Sequence, residues 1–458
     1  MGTTRNLAQF AVDTRYAAIP AAVRERGKHA IVDAIGTLLA GIDEESVRQV
    51  RKLAERETRA GQASVLGTPL RLAASGAAMA NGAAAHALDY DSISLTVSGF
   101  IASPVLFAAL AVAEEEGGVS GERLLEAFIV GWEVEAAIAR GLGVHHYAKG
   151  WHSTSTLAHF GAAVAVGKLL GFNTLQMQYA IGTAAAEASG MRTMIGNMLN
   201  PFHLGKAARN GVVAGRLVQA GFTANPDVLE VGWGFCEVFN GAGNFDLAAM
   251  TASIGAPYDL VDPGLVIKVY PCCGLVHSAL DGVLDLVTRN DVRPNQVKQM
   301  TIAVHELVPK TMRFDQPATG YEAKFSTPFC VATALSERSV RLSHFTDERA
   351  RDPAQVSLMG KVRMVVHPEL HGNDTFLLKE FTDVEIELTD GRKLSQRVPR
   401  IGNRGSRDRP VTLADLEGKF MDCASSFPDA AGARQTFDKL ARLEGLVDVG
   451  QISVSLQK

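Results

Sequence analysis

The chain has 458 residues, of which 47% are hydrophobic and 21% are charged, a globular composition that excludes a disordered or collagen-like protein. Its 45 basic and 49 acidic residues give a formal net charge of −4. Because no long basic run is present, nucleic acid is not an expected partner.

Helical patterns fill most of the first 250 residues. Apolar residues recur every three or four positions over residues 20–40. The same pattern predicts helices over 70–87, 104–116, 123–139, 154–170 and 174–189. These segments are rich in Ala and Gly and apolar on nearly every face, which is typical of central helices that contact little water.

The pattern changes near residue 260. Alternating apolar residues predict strands over 300–304, 361–366, 384–388 and 393–398, and Asp390-Gly391 predicts a β-hairpin between the last two. Helical patterns lie between these strands over 278–288 and 326–337, and helices return over 412–424 and 429–442. The predicted fold is mainly α: a large all-helical domain, residues 1–265 and 406–458, with a smaller α+β domain, residues 266–405, inserted before the C-terminal helices.

Signals for export, membrane insertion and cofactor binding are not found in the sequence. The N-terminus lacks a signal-peptide pattern, and no uninterrupted apolar stretch of about 18 residues occurs. The five cysteines are irregularly spaced, which indicates neither a disulfide framework nor a zinc motif. Glycine-rich phosphate-binding motifs are absent as well. We therefore predict a cytoplasmic protein without membrane association, metal or cofactor.

Two aspartates, Asp89 and Asp91, follow the helix predicted over 70–87. Carboxylates are costly to bury without partners. If the helix ends near Ala87, both side chains can project from its C-terminal loop into a cleft. The alternative is a helix-ending loop in solvent.

A second cluster of polar residues precedes the helix predicted over 154–170. It contains His145, His146, Tyr147 and His152. His152 would lie at the helix N-terminus, where the macrodipole disfavours a charged imidazole, so a neutral base near pH 7 is expected. A structural, fully hydrogen-bonded histidine is the alternative, and it is favoured for His145 or His146. The spacing does not match a zinc-binding pair on one helix face.

Three lysines lie near predicted helix starts or at the change of pattern. Lys206, with His203, falls at the beginning of a helix that follows Pro201, which favours an anion site over a surface lysine. Lys268 lies at the boundary between the two patterns. Three interpretations stay open for it: a lysine that binds a carboxylate, a desolvated lysine that acts as a base, and an ordinary surface lysine. Lys324 is interpreted as a solvated lysine. Together with the Asp, His and Tyr residues, this set suits proton transfer beside the carboxylate of a small anionic acid.

In this order, these stretches resemble the MmgE/PrpD family. The resemblance covers residues 81–91, 150–170, 201–224, 268–281, 324–335 and 410–420. It implies a homodimer in which an α+β lid covers a large helical domain, with the active site between them. It also implies one of the family's activities, which are 2-methylcitrate dehydration, cis-aconitate decarboxylation and iminodisuccinate epimerisation.

Several residues match the family's motifs. Asp89 and Asp91 match its helix-end carboxylates, and His152 matches its Gly-aromatic-His motif. Lys268 matches the lysine of K-x-Y/F-P, and Lys206 matches the basic residue of H-x-G-R/K-A-A. These matches imply a site that binds a small di- or tricarboxylate.

Three positions depart from the family's pattern. Residues 99–102, with Phe100 among them, replace the H-P-S triplet, Ile93 replaces a threonine, and Asn200 replaces the lysine of K-P/R-L-H. These replacements remove side chains that can transfer protons or carry positive charge, and dehydration and decarboxylation each need such a side chain. Epimerisation needs only one base, one acid and carboxylate anchors.

We therefore predict a cofactor-independent epimerase that acts on a small dicarboxylate such as iminodisuccinate. The predicted catalytic residues are His152, Lys268, Tyr147 and Asp89, with Asp89 orienting a histidine or lysine. The predicted substrate-binding residues are Lys206, His203, Asp91, Arg192 and Lys324. Alternatives are a 2-methylcitrate dehydratase-like lyase, a cis-aconitate decarboxylase-like enzyme, and a non-catalytic dicarboxylate-binding homologue.

Overall fold

A computed structural model describes residues 2–373 and 376–456, and helices dominate it. The α-helices of these residues are α1 Thr3–Asp13, α2 Ala21–Gly41, α3 Glu45–Glu57, α4 Ala74–His86, α5 Ala102–Glu116, α6 Gly121–Ala148, α7 Ser153–Leu169, α8 Thr174–Glu187, α9 Leu199–Gln219, α10 Phe235–Asn240, α11 Leu247–Thr251, α12 His277–Arg289, α13 Gly320–Ala323, α14 Thr327–Glu337, α15 Asp347–Arg351, α16 Pro353–Met359, α17 Leu413–Cys423, α18 Ala430–Ala441 and α19 Gly450–Val454. The strands are β1 Ala60–Ser64, β2 Arg71–Leu72, β3 Ile93–Ser94, β4 Leu265–Val266, β5 Val297–Val304, β6 Val362–Val366, β7 Phe381–Leu388 and β8 Lys393–Pro399.

Small residues let the central helices approach each other closely. A β-carbon on Gly82 of α4 would lie 3.1 Å from Cα of Gly205 on α9, and one on Gly205 would collide with the backbone of α4. Every residue of α4 except Ser75 is buried. The Ala/Gly-rich helices are therefore central, as the sequence predicts, because larger side chains at such crossings would overpack the core.

The C-terminal helices pack against the N-terminal ones. Phe420 of α17 shares a buried core with Ile31 and Ile35 of α2, and a β-carbon on Gly36 would lie 2.9 Å from the Phe420 ring. This packing agrees with an α+β segment inserted into one helical unit. The domain limits at residues 265 and 405 stay predictions. Residues 1, 457 and 458, which fall in the predicted helical domain, lie outside the described residues.

The α+β segment is built on a four-stranded mixed sheet in the order β6-β5-β7-β8. The β5–β6 pair is parallel, whereas β5–β7 and β7–β8 are antiparallel. The predicted hairpin at Asp390-Gly391 is confirmed, and Gly391 has the positive φ of 89° that such a turn favours. Helix α12 covers the sheet, since a β-carbon on its Gly282 would lie 2.8 Å from Val384 of β7. The fold is thus mainly α with a small mixed sheet, as predicted.

Two differences from the predicted elements involve the region of the site. Helix α4 begins at Ala74 instead of residue 70, because Arg71–Leu72 pairs with β1. Helix α6 continues to Ala148, past a kink at Gly143 whose φ is 62°. The β3–β4 pair then joins the loop after α4 to the segment that carries Lys268. No helix within the described residues is long and apolar enough to cross a membrane.

Candidate active site

A cavity of about 70 Å³ lies between the helical and α+β parts of the chain. Its walls come from the loop after α4, the N-terminal end of α7, the segment after β4 and several side chains of the α+β segment. All the predicted catalytic residues line it: Asp89, Tyr147, His152 and Lys268. The predicted substrate-binding residues lie outside its lining: Asp91, Arg192, His203, Lys206 and Lys324. Two members of the second group nevertheless contact members of the first, His203 with His152 and Arg192 with Tyr147.

Lys268 and Asp89 form a fully buried ion pair on one side of the cavity. The Lys268 Nζ donates to the Asp89 backbone carbonyl at 2.8 Å and to Oδ1 at 3.0 Å. Asp89 has a φ of 50°, a left-handed conformation that is uncommon for a non-glycine residue. Because one ammonium binds both the main chain and the side chain, it stabilises this conformation. The contact agrees with the expectation that Asp89 orients a lysine.

Asp89 and Lys268 also have apolar surroundings. The Phe100 ring centroid lies 4.8 Å from the Lys268 Nζ. Oδ2 of Asp89 is buried and has no hydrogen-bond partner among the described residues. A buried carboxylate oxygen without a donor is costly, so this atom is positioned to accept a proton or a hydrogen bond from a molecule in the cavity.

His152 lies at the N-terminus of α7, as the sequence predicts, and its side chain is paired with a second histidine instead of the helix N–H groups. Its Nδ1 lies 2.8 Å from Nδ1 of His203. Burial lowers the pKa of His152 well below its ordinary value, and the neighbouring His203 lowers it further. Burial, with Lys206 and His86, lowers the pKa of His203 to about 4.

Two imidazoles with lowered pKa values are neutral at pH 7. One Nδ1 must then carry the proton and donate it to the other. Nε2 of His152 has no hydrogen-bond partner within residues 2–373 and 376–456, so it remains available to the cavity. His203 lies behind His152, where it contacts this imidazole.

A third histidine, His86, lies near the site and was not among the predicted site residues. Its Nδ1 lies 2.8 Å from Oδ1 of Asp91, and its Nε2 accepts from the Asn200 side chain at 3.0 Å. Oδ2 of Asp91 accepts from Ser103 at 3.3 Å. Asp91 therefore fixes the orientation of His86 instead of facing the cavity. The available signal was the position of His86 at the helix end, directly before the two aspartates.

Tyr147, near the end of α6, also lines the cavity. Its hydroxyl lies 3.2 Å from Thr311 Oγ1, and burial raises the pKa of this hydroxyl, so it stays protonated. The Arg192 guanidinium lies 3.8 Å over the Tyr147 ring and donates to Thr311 at 3.0 Å. Arg192 lines an adjoining groove with three further cations, Lys149, Lys310 and Arg313.

The remaining two lysines bind backbone carbonyls. Lys206 donates to the Ser189 carbonyl at 2.7 Å and to its hydroxyl at 2.8 Å, so its ammonium faces the end of α8. The interpretation of Lys324 as solvated is wrong, since it is 3% exposed and donates to the Pro271 carbonyl at 2.7 Å. The turn before α14 folds under the loop at Pro271, which buries this side chain. Burial lowers the pKa of both lysines to about 8.

The residues at the three departing positions all line the cavity: Ile93, Phe100 and Asn200. Leu275, Phe325 and Leu377 extend the apolar wall. Arg400, which the sequence interpretation missed, contributes a buried guanidinium to the same cavity. Among the described residues, no group of three or more His, Cys, Asp or Glu side chains is arranged to hold a metal ion.

Comparison with known proteins identifies the class to which this fold and site belong. The MmgE/PrpD N-terminal domain model matches residues 5–248, and the MmgE/PrpD C-terminal domain model matches residues 270–443. The chain therefore belongs to the MmgE/PrpD family, which confirms the resemblance.

Several proteins similar to this chain are named cis-aconitate decarboxylases. The cis-aconitate decarboxylase of Aspergillus terreus is 27% identical over 473 residues, which cover 98% of this chain and 95% of that protein. The cis-aconitate decarboxylase of Mus musculus is 24% identical, with 92% of this chain and 87% of that protein covered. The one of Homo sapiens is 23% identical, with 95% and 90% covered.

Proposed function

We propose that this protein is a cofactor-independent epimerase that moves a proton at a carbon next to a carboxylate of a small dicarboxylate such as iminodisuccinate. The observation that carries the proposal is that His152 and Lys268 line one cavity and that each has a polar group behind it. His203 contacts the first, and Asp89 contacts the second. On the family resemblance, we further propose that the enzyme acts as a cytoplasmic homodimer.

The roles follow from the charge and hydrogen bonding of each group. The neutral His152 accepts the α-proton through its unpartnered Nε2. The Lys268 ammonium binds the adjacent carboxylate and stabilises the negative charge that develops on it as the proton leaves. Tyr147, whose hydroxyl is protonated, gives a proton to the other face of the carbon. Exchange with water then removes the proton from His152 and restores the Tyr147 hydroxyl before the next turnover. Asp89 holds the lysine in place.

Decarboxylation is the second candidate, favoured by the activity for which the similar proteins are named. It needs a cation near the departing carboxylate and a proton donor. Here Asn200 and Phe100 occupy the positions where the family has a lysine and a histidine, and both line the cavity. Dehydration needs an acid for the leaving hydroxyl and is weakened by the same replacements. These departures support the epimerase over either lyase.

Proton NMR in heavy water tests the proposal with three candidate substrates: iminodisuccinate, 2-methylcitrate and cis-aconitate. We expect deuterium to enter the α-position of a dicarboxylate with loss of stereochemical purity and without release of water or carbon dioxide. Release of either product would instead support a dehydratase or a decarboxylase. Binding without any reaction would support a non-catalytic dicarboxylate-binding protein.

A matched pair of histidine variants assigns the base. His152→Gln should lower the exchange rate by about 10²–10⁴-fold, the usual contribution of a general base. His146→Gln is the control, because His146 is buried outside the cavity and hydrogen-bonds Asn240 and Thr156. Equal rates for the two variants would remove His152 from the mechanism.

A further inference from the structure

Arg400 is a buried cation without a charged partner within hydrogen-bond distance. It is 3% exposed and begins the short turn after β8. Its Nη1 donates to the Gly274 carbonyl, and its Nε has no partner among the described residues. Within residues 2–373 and 376–456, no carboxylate forms an ion pair with its guanidinium.

Such a cation is costly in the interior unless an anion neutralises it. Glu380 is the nearby acid, but its burial raises its pKa to about 7, so it is only partly ionised at neutral pH. The guanidinium lines the cavity. An anion that occupies the cavity can therefore supply the missing charge and accept the hydrogen bonds that the protein leaves unused.

Gly274 places this guanidinium close to Lys268. A β-carbon on Gly274 would lie 3.2 Å from Nη2 of Arg400 and 3.7 Å from Cε of Lys268. The two cationic side chains thus approach one point in the cavity wall beside Gly274, and the Ile93 side chain approaches the same point at 3.0 Å. One small molecule with two carboxylates can contact both.

We propose that Arg400 binds a second carboxylate of the substrate, across Gly274 from the carboxylate that Lys268 binds, and thereby makes the site selective for dicarboxylates. The inference rests on the proposed function only in taking Lys268 as the anchor at the reacting end. It gives Arg400 the substrate-binding role that the sequence assigned to five residues outside the cavity lining. Arginine suits this role because its planar fork matches a carboxylate in a bidentate arrangement.

Calorimetric titration with two unreactive probes tests the inference. Succinate and butyrate have the same carbon chain and differ in the second carboxylate. We expect the wild-type protein to bind succinate at least about tenfold more tightly than butyrate. Arg400→Gln should weaken succinate binding by about 10–100-fold, the effect of losing hydrogen bonds to a charged group, and change butyrate binding by less than about threefold.

Two further variants separate recognition from folding. Arg400→Lys keeps the cation but loses the fork, so succinate binding should fall less than in Arg400→Gln. Gly274→Ala changes no charge and fills the space between the cations, so it should weaken succinate binding more than butyrate binding. Thermal unfolding confirms that each variant is folded.

The outcomes distinguish this inference from the proposed function. His152→Gln should lower proton exchange by about 10²–10⁴-fold and leave succinate binding within about threefold of wild type, because Lys268 and Arg400 keep their hydrogen bonds to the two carboxylates. If no substrate exchanges its proton but Arg400→Gln still weakens succinate selectively, the function is wrong and the inference holds. Absent succinate binding in wild type, or equal losses for both probes, overturns the inference.

Discussion

Replacing Lys268 by methionine removes the ammonium from a fully buried ion pair and leaves the Asp89 carboxylate without its main partner. Both side chains are at most 4% exposed, so solvent cannot compensate. Removing one member of a buried pair destabilises a protein by about 3–5 kcal/mol. Lys324 also interacts electrostatically with Asp89 and remains in place. We therefore expect a loss of about 3 kcal/mol in the free energy of unfolding, at the lower end of this range.

The double variant Lys268→Met with Asp89→Asn supplies the decisive comparison. It removes both charges of this pair, so neither partner is left buried and ionised without the other, and it should recover about 2 kcal/mol relative to the sum of the single variants. Urea denaturation followed by circular dichroism measures the four free energies of unfolding at pH 7. Additive single effects, or a Lys268→Met variant within about 0.5 kcal/mol of wild type, would refute a tightly coupled buried pair.

Two further predictions concern the buried acids and the adjoining groove. Burial, with Asp259 nearby, raises the pKa of Glu133 to about 7. Its ionisation therefore favours the unfolded chain, and its stabilising contribution is lost as pH rises from 4.5 through about 7. The free energy of unfolding of Glu133→Gln, relative to that of wild type, should therefore increase by about 3 kcal/mol from pH 4.5 to pH 8. Urea denaturation at both pH values measures this change. Lys310 is exposed in a groove lined by four cations and no acid. At low salt, Lys310→Glu should lower kcat/KM for a dicarboxylate about 3–10-fold and leave kcat unchanged. In 0.5 M salt the Debye length is about 4 Å, so exposed charges are screened and the variant should match wild type.

Both predictions have clear contradicting results. A pH-independent difference between Glu133→Gln and wild type would mean that Glu133 does not titrate in this range. A salt-independent effect of Lys310→Glu would mean that the groove does not attract the substrate through its charge.

The position of three catalytic candidates at the cavity was predictable, because each of these three lies where the chain leaves a regular element. His152 directly precedes α7, Asp89 follows α4, and Lys268 follows β4. Element ends are visible in a sequence as changes of hydrophobic pattern and as turn residues. Side chains at such ends line clefts more readily than those inside a packed helix, so pattern and chemistry pointed to the same residues.

The five predicted binding residues lie outside the cavity lining, because contacts with residues distant in sequence position their side chains. The dipole argument for Lys206 considered only its own helix, whereas its ammonium binds Ser189 at the end of another. Lys324 appeared solvated because nothing nearby in sequence indicates that the loop at Pro271 covers it. Arg400 contacts Gly274, which is 126 positions away, and no motif marks either residue as a pair. Tertiary packing decides these contacts.

Phe100 bears on whether the departures from the family pattern reflect decay or a different reaction. It stands in the segment that replaces the H-P-S triplet, yet its ring contacts the Lys268 ammonium at 4.8 Å and packs edge-on against His86 at 4.3 Å. An aromatic face stabilises a desolvated cation by about 1–2 kcal/mol. The replacement therefore removes a group that exchanges protons and preserves the charge of the neighbouring lysine. A site that keeps its cation and its neutral imidazole pair retains what an anionic intermediate requires, which argues for altered chemistry over loss of catalysis.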